Sequence, residues 1–273
     1  MLSRVLIGVL LVGVLAWAVH LWAAWQFRGV ARGLAEQVVQ GPAPAGARDD
    51  LPAPIAAFAR RGMAGTEPGR RVVRLTQAAE MELTPGAGWQ PLEARQAIGL
   101  TAPGFVWEAW QSLGPVVTLR VVDAYVAGRG LLEARVMGSL RVARVEGGEM
   151  NRGEAMRYLA ELPWAPEAIL LNRAIGWRML ESGEIEARLE MAPRDAVVRF
   201  TLDEAGDVVE MRAEDRPATG PGGETVLRPW LGRFSDFGEI GGRRIPIRGE
   251  VGYVVNGVFQ PYWRGRVTGY VTE

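Results

Sequence analysis

A continuous apolar segment near the N-terminus constrains this chain more than any other feature. Residues 5–27 read VLIGVLLVGVLAWAVHLWAAWQF, in which His20 and Gln26 are the only strongly polar side chains. About 20 apolar residues in a helix are long enough to cross a hydrocarbon core of ~30 Å. The segment therefore predicts a single-pass membrane anchor over residues 1–27, with the rest of the chain held at the surface of a cell membrane.

A cleavable signal peptide is the alternative interpretation of this segment. Ala16-Trp17-Ala18 could serve as a small-residue cleavage site after a shorter apolar core. However, the apolar run continues beyond that site, and Trp17, Trp22 and Trp25 cluster near one end, as in an interfacial aromatic belt. The length and the tryptophans favour an uncleaved anchor.

Composition excludes several classes of function. The chain has 31 basic and 31 acidic residues, so it has no excess of positive charge for binding nucleic acid. Cysteine is absent, which excludes disulfides and thiolate chemistry. The only histidine is His20, inside the anchor, so the remainder has no imidazole for a catalytic triad or a zinc site. We predict no metal, no cofactor and no nucleic-acid partner.

The sequence pattern changes after the anchor. Residues 28–40 can continue the anchor helix, residues 41–54 contain four prolines, and residues 55–61 can form a short helix. We therefore predict a helical extension and Pro-rich linker over residues 28–66. The remaining residues, 67–273, are predicted to form one β domain.

Strand patterns dominate this domain. In residues 184–191 (EIEARLEM) apolar and charged side chains alternate, which is typical of a strand with one buried face. Asn256-Gly257, flanked by valines and a phenylalanine, predicts a hairpin with a type I′ turn. The other predicted strands are 71–83, 104–112, 116–126, 131–145, 196–203, 208–214, 231–239, 244–255 and 259–272.

One helix interrupts these ten strands. We predict it over residues 152–162, with Asn151 as its N-cap, Glu154 completing a capping box, and Pro163 and Pro166 breaking it. Consecutive strands at this spacing pair antiparallel. The predicted fold is mainly β: a strongly curved antiparallel sheet, or open half-barrel, with one short helix covering its concave face.

Aromatic and apolar side chains are the candidate ligand-binding residues. Seven tryptophans follow the anchor, and they have two interpretations: ordinary core packing, or the lining of an apolar cavity for a lipid-like ligand. Trp107 and Trp110 should point to opposite faces of one strand, so not all of them can line one cavity. The residues that we predict to contact such a ligand are Tyr125, Met156, Leu159, Trp164, Trp177, Trp230 and Trp263.

Carboxylates offer the only other chemistry. Asp123 shares a strand face with Val121 and Tyr125, so it is the best candidate for an inward-facing acid, and burial there would raise its pKa. Sequence spacing places no two carboxylates together, so we predict no catalytic residue.

Several segments resemble an uncharacterised family of bacterial membrane-anchored proteins, a domain of unknown function. The resemblance covers most of residues 60–273 and supplies no catalytic residues. It rests on WQPLEARQ (89–96), PGFVW (103–107), RYLAELPW (157–164), PWLGRFSD (229–236), GRRIP (242–246) and PYWRG (261–265).

A remoter resemblance is to the outer-membrane lipoprotein carrier and sensor superfamily. It rests on a Gly241-Gly242 turn followed by Ile245-Pro246 at the start of a strand. In that superfamily an open half-barrel wraps a helix and holds acyl chains, which implies a hydrophobic ligand and an exported domain. Arg28 and Arg32 after the anchor would instead favour the cytoplasm. We follow the resemblance and predict the exported side.

These observations leave three functional hypotheses. The leading one is a membrane-anchored, non-catalytic domain that binds a lipid or a lipoprotein acyl group; the anchor favours a tethered binder over a shuttling carrier. The second is a protein-interaction or envelope-assembly module that uses a face or edge of the sheet. The third is a hydrolase that works with carboxylates alone. An apolar hollow would favour the first, a filled barrel the second, and an inward pair of carboxylates the third.

Overall fold

The computed structural model describes residues 2–66, 68–82, 84, 86–220 and 222–273. Residues 1 and 67, where we predict the anchor and the β domain to begin, lie outside these ranges, as does residue 83, the predicted end of the first strand. The elements are α1 (Leu2–Val39), α2 (Ala53–Gly62), β1 (Val72–Met81), β2 (Gln90–Gly99), β3 (Phe105–Leu113), β4 (Val116–Val126), β5 (Arg129–Val136), β6 (Leu140–Glu146), α3 (Glu149–Ala160), a 3₁₀ turn (Leu162–Trp164), α4 (Pro166–Leu171), β7 (Ile175–Met179), β8 (Ile185–Leu189), β9 (Ala196–Leu202), β10 (Val208–Thr219), β11 (Thr225–Ile240), β12 (Arg243–Val255) and β13 (Val258–Thr272).

All thirteen strands belong to one antiparallel sheet, in the order β6-β5-β4-β3-β2-β1-β13-β12-β11-β10-β9-β8-β7. The chain runs strand by strand from β1 out to β6, crosses through α3 and α4 to β7, and returns strand by strand to β13. Pairing of β13 with β1 then joins the two halves, with Val73 opposite Thr272. The predicted mainly-β, antiparallel half-barrel is confirmed.

Helix α1 is continuous and has two different environments. It is long and apolar enough to cross a membrane, judged by length and composition, and its most apolar window is not buried. Its C-terminal part packs on the outer face of the sheet, where Phe27, Ala31 and Val38 are buried against Val106 and Ala124. The predicted continuation of the anchor helix through residues 28–40 therefore lies against the β domain.

The concave face is covered by the shorter helices. Met156, Tyr158 and Leu159 of α3 have no exposed surface. The Tyr158 hydroxyl donates to the Gly99 carbonyl at 2.9 Å and accepts from the Asn172 side-chain amide at 2.8 Å. These bonds fix α3 to the sheet and to the end of α4, because a buried hydroxyl without partners would be costly.

Strand number differs from the prediction. The segment predicted as one strand, 131–145, is the hairpin β5–β6, which turns at Met137 and Gly138, both at positive φ. This turn was not predicted because β-branched and apolar residues, which favour strands, lie on both sides of it. Strands β2 and β7 were not predicted; β2 has a Pro at its second position, and β7 is only five residues long.

The predicted helix is also different in detail. α3 begins at Glu149, so Asn151 lies inside its first turn and does not cap it; its Oδ1 instead accepts from the Gly130 amide at 2.8 Å. Glu154 makes no capping box, because its side chain pairs with Arg216. Pro163 lies in the 3₁₀ turn and Pro166 begins α4, so α3 is followed by two further helical segments rather than by a strand.

The predicted hairpin turn at Asn256-Gly257 is confirmed. It joins β12 to β13, with both residues at positive φ, as a type I′ turn requires. Gly241 and Gly242 make the preceding turn, also with positive φ.

Candidate functional site

The helices cover only one end of the concave face. On β4, residues 122–126 are buried, whereas Leu119 and Val121 are half-buried although they share the inward face of Asp123. Leu132, which lies opposite Asp123 on β5, is also half-buried. Inward-facing residues of strands β12 and β13 are partly exposed in the same way, namely Val251, Tyr253 and Tyr262. The concavity therefore has a helix-filled end and an open end with apolar walls.

A charged cluster lies between the two ends, and Arg157 of α3 is its centre. Arg157 pairs with the buried Asp123 and donates from Nε to Glu161 Oε1 at 2.9 Å. Its guanidinium also lies 4.8 Å from the Phe105 ring centroid and 5.0 Å from that of Trp107, within cation–π range. The predicted inward orientation of Asp123 is confirmed, and Arg157 is the partner that its burial requires.

Arg216 of β10 continues the cluster to the opposite wall. It donates to Glu154 Oε1 at 3.2 Å, and its guanidinium lies 4.0 Å from the Trp230 ring centroid. Two of its nitrogens, Nε and Nη1, have no hydrogen-bond partner among the described residues, and neither does Gln96 Oε1. Buried donors and acceptors without partners are rare in folded proteins, so each of these atoms could take a polar group of a ligand or a water molecule as its partner.

Glu154 and Asp123 form an inward carboxylate pair. Burial, and then the charge of Asp123, raise the pKa of Glu154 well above its ordinary value. Glu154 Oε2 and Asp123 Oδ1 both lack partners among the described residues. A proton on Glu154 supplies the missing donor, since Oε2–H can then donate to Asp123, and it removes the repulsion between two buried negative charges.

This arrangement predicts a pH-dependent stability. Because the pKa of Glu154 is raised on folding, its contribution to stability is complete below its ordinary value of 4.5 and is lost as pH rises towards the raised value. Glu154→Gln cannot ionise, yet keeps an oxygen that accepts from Arg216. We expect the variant to lose less stability than the native protein between pH 4.5 and neutrality. Denaturant unfolding of the detergent-solubilised chain measures this.

Glu149→Gln, at a partly exposed position of the same helix, is the matched control and should follow the native pH dependence. Parallel curves for Glu154→Gln and the native protein would show that Glu154 is ionised in the folded state.

The predicted ligand-contact residues all lie in or against one hydrophobic core. Met156 and Leu159 are fully buried beneath α3, Tyr125 is buried beside Asp123, and Trp230 lies under Arg216. Trp177, on β7, stacks on Phe200. Their contact with a ligand stays a prediction.

Trp164 and Trp263 form a separate aromatic group. Their ring centroids are 6.1 Å apart, and Trp164 also meets Phe234 edge to face at 5.5 Å. A Cβ added at Gly249 would lie 2.9 Å from the Trp164 ring, so that glycine is required for the ring to lie against the strand. Trp107 is buried inside the sheet and Trp110 is half-buried on the outer face, which confirms their predicted opposite orientations.

Most residues of the charged cluster were not predicted from the sequence. Glu154, Arg157 and Glu161 follow an i, i+3, i+7 spacing, which places them on one helix face. That spacing is the signal that could have identified them. Nothing local marks Arg216 or Gln96, because their partners are far away in sequence.

A second concave feature lies on the outer face. It is a groove of about 1000 Å³ that crosses strands β1–β3 and β10–β13. Its exposed side chains alternate in sign: Arg264 pairs with Glu80 at 2.5 Å and Arg233 with Glu250 at 3.4 Å. This groove is charged and internally neutralised, so it is unlike the predicted apolar site.

A family of proteins of unknown function, DUF6544, matches residues 44–265. No protein of curated function matches the chain. The predicted resemblance to an uncharacterised family is thus confirmed.

Solved structures with a similar fold include three bacterial proteins. A LolA superfamily protein from Nitrosomonas europaea has 8% identity and a TM-score of 0.43, covering 80% of this chain and 92% of its own. A DUF1329 family protein from Desulfovibrio piger has 9% identity and a TM-score of 0.47, covering 83% and 94%. A putative outer membrane lipoprotein-sorting protein domain from Vibrio parahaemolyticus has 8% identity and a TM-score of 0.45, covering 80% and 92%. Likeness at this level carries no information about ligand or activity.

Proposed function

Since the chain belongs to the DUF6544 family, whose function is unknown, we propose a function from the geometry of its own residues. The protein is a membrane-anchored domain that binds an amphipathic, lipid-like ligand, such as a lipid or the acyl group of a lipoprotein, without covalent chemistry. The ligand occupies the open end of the concavity. The domain lies on the exported side, as the sequence resemblance implies.

The observation that carries this proposal is the change from apolar walls at the open end to the polar, charged cluster beside it. Leu119, Val121 and Tyr253 are inward-facing and only half-buried, so they leave apolar and aromatic surface exposed inside the concavity. Close to Tyr253, the Nε and Nη1 groups of Arg216 have no hydrogen-bond partner among the described residues. A carboxylate, ester carbonyl or phosphate could accept from these groups while an acyl chain covers the apolar walls.

The anchor supports a tethered binder. An apolar helix of sufficient length precedes the domain and packs on it through Phe27 and Ala31, so the concavity keeps a fixed position relative to the helix. A ligand taken from the same membrane would not have to cross water.

Lipid extraction and native mass spectrometry of the purified full-length protein test this directly. We expect a co-purifying lipid, and micromolar binding of a fluorescent fatty-acid probe. Leu119→Glu places a charge on the apolar wall at a half-buried position, so it should weaken probe binding by about tenfold or more, because an acyl chain cannot solvate a carboxylate.

Leu227→Glu is the matched control, because Leu227 is exposed and lies outside the described concavity. It should bind the probe as the native protein does. Absence of co-purifying lipid together with absence of probe binding would contradict the proposal. The interaction-module hypothesis would then take its place, with the exposed edge strand β6 as the first surface to test.

The carboxylate-based hydrolase remains a second candidate because Asp123 and Glu154 form the inward pair that it requires. A carboxyl group whose pKa is raised, next to a second carboxyl group, is an arrangement that acid and base catalysis can use. Turnover of an ester or glycoside by the native protein, lost in Glu154→Gln while lipid binding persists, would favour this candidate.

A further inference from the structure

We propose that the tips of hairpins β3–β4 and β5–β6 insert into the interfacial layer of the lipid bilayer beside α1. This inference rests on one element of the proposed function, namely that α1 spans the membrane. It adds a second membrane contact, made by the β domain itself, and a direction for the concavity.

The first observation is direct contact between the β5–β6 tip and the apolar segment of α1. Ser139 Oγ lies 2.6 Å from His20 Nδ1. A Cβ added at Gly138 would lie 3.5 Å from that of Ala24. His20 and Ala24 belong to the run 5–27, near the end where Trp22 and Trp25 cluster. A tip at this height is level with the boundary between hydrocarbon and head groups.

The tip of hairpin β3–β4 lies at the same height along α1 as the tip of hairpin β5–β6, because the sheet is antiparallel. Strands β3 and β5 run in the same direction, and Leu119 near the start of β4 pairs with Val136 at the end of β5. The Met137 amide also donates to the Thr118 carbonyl at 2.9 Å. The β3–β4 turn therefore lies at the same end of the sheet as the β5–β6 turn.

Both tips expose apolar side chains that water does not favour. Leu113 is 77% exposed and Leu140 is 66% exposed, and Val116, Met137 and Val142 are also exposed. Isolated exposed residues of this kind are ordinary, but here five lie on two adjacent hairpins next to an apolar helix. A bilayer is the partner that already covers the neighbouring face of α1.

Insertion of these tips also orients the candidate site. Leu119 and Val121 lie in the half of β4 nearer its tip, and that is the half that the helices leave open. The open end of the concavity therefore faces the bilayer. A lipid could enter it from the membrane, with its polar group directed towards the charged cluster.

The absence of cysteine makes a site-specific test simple. Single cysteines introduced as Met137→Cys, Leu11→Cys and Val271→Cys are labelled with an environment-sensitive fluorophore in the full chain, reconstituted in phosphatidylcholine nanodiscs. Val271 is an exposed apolar residue at the opposite end of the sheet, and Leu11 lies within the anchor. Nitroxide-labelled lipids then report the depth of each position by quenching.

We expect the label at position 137 to be quenched several-fold more than that at 271, with its emission shifted to the blue. If the label at position 11 is strongly quenched, while the labels at positions 137 and 271 are both weakly quenched, the tip insertion is overturned and the anchor is retained. Weak quenching at all three positions would overturn both the anchor and the insertion. Quenching at 271 equal to strong quenching at 137 would show non-specific adsorption and overturn the inference.

Discussion

Arg243→Leu is expected to lower the free energy of unfolding by ~3–5 kcal/mol. The Arg243 side chain is 7% exposed and pairs with Glu167, which is 1% exposed. Arg243 Nε donates to Glu167 Oε1 at 2.9 Å, and Nη1 donates to the Gly242 carbonyl at 2.9 Å. Removing the guanidinium leaves a carboxylate in the core without a counter-charge. Denaturant unfolding in detergent measures the loss.

Arg248→Leu on the same strand is the matched control. Arg248 pairs with Asp236, but both side chains are about 60% exposed, so the change should cost ~0–1 kcal/mol. The double variant Glu167→Leu/Arg243→Leu should recover much of the stability, since no buried charge is left alone. Equal effects of Arg243→Leu and Arg248→Leu would show that the buried pair contributes no more than a surface pair.

Trp164→Ala is expected to cost ~3–5 kcal/mol, the range for deleting a buried aromatic side chain. The ring fills the space between Phe234, Trp263 and Gly249, and its Nε1–H donates to the Pro246 carbonyl at 2.9 Å. The deletion therefore creates a cavity, removes two edge-to-face contacts and removes the hydrogen bond to the Pro246 carbonyl.

Trp110→Ala provides a control with the same chemical change at a half-buried position of the outer face. It should cost much less than Trp164→Ala, because water can fill the space that it leaves. A small effect of Trp164→Ala, together with stronger binding of a fatty-acid probe, would show that the ring blocks a ligand space instead of stabilising the fold.

Most of the regular elements of this protein could be predicted because they have a local signal. Alternation of apolar and charged side chains located β8 and β9, and Asn256-Gly257 located the β12–β13 turn. The β5–β6 turn was missed, since Met137-Gly138 interrupts a run of strand-forming residues without a Pro or an Asn. Strand β2 was missed because its polar inward residue Gln96, which bonds to Glu161, weakens the alternation.

The sequence by itself determined that this is an apolar N-terminal helix followed by an antiparallel β domain without thiol or imidazole chemistry, since length, periodicity and composition are local properties. Only the tertiary structure decided which charges share the core. Asp123, Glu154, Arg157 and Arg216 come from three elements up to 93 positions apart in the sequence and meet because β13 closes the sheet on β1. It also decided that α1 packs on the outer face, which sets the β5–β6 tip beside the anchor. Such contacts depend on the curvature of the whole sheet, and no segment of the chain encodes that curvature alone.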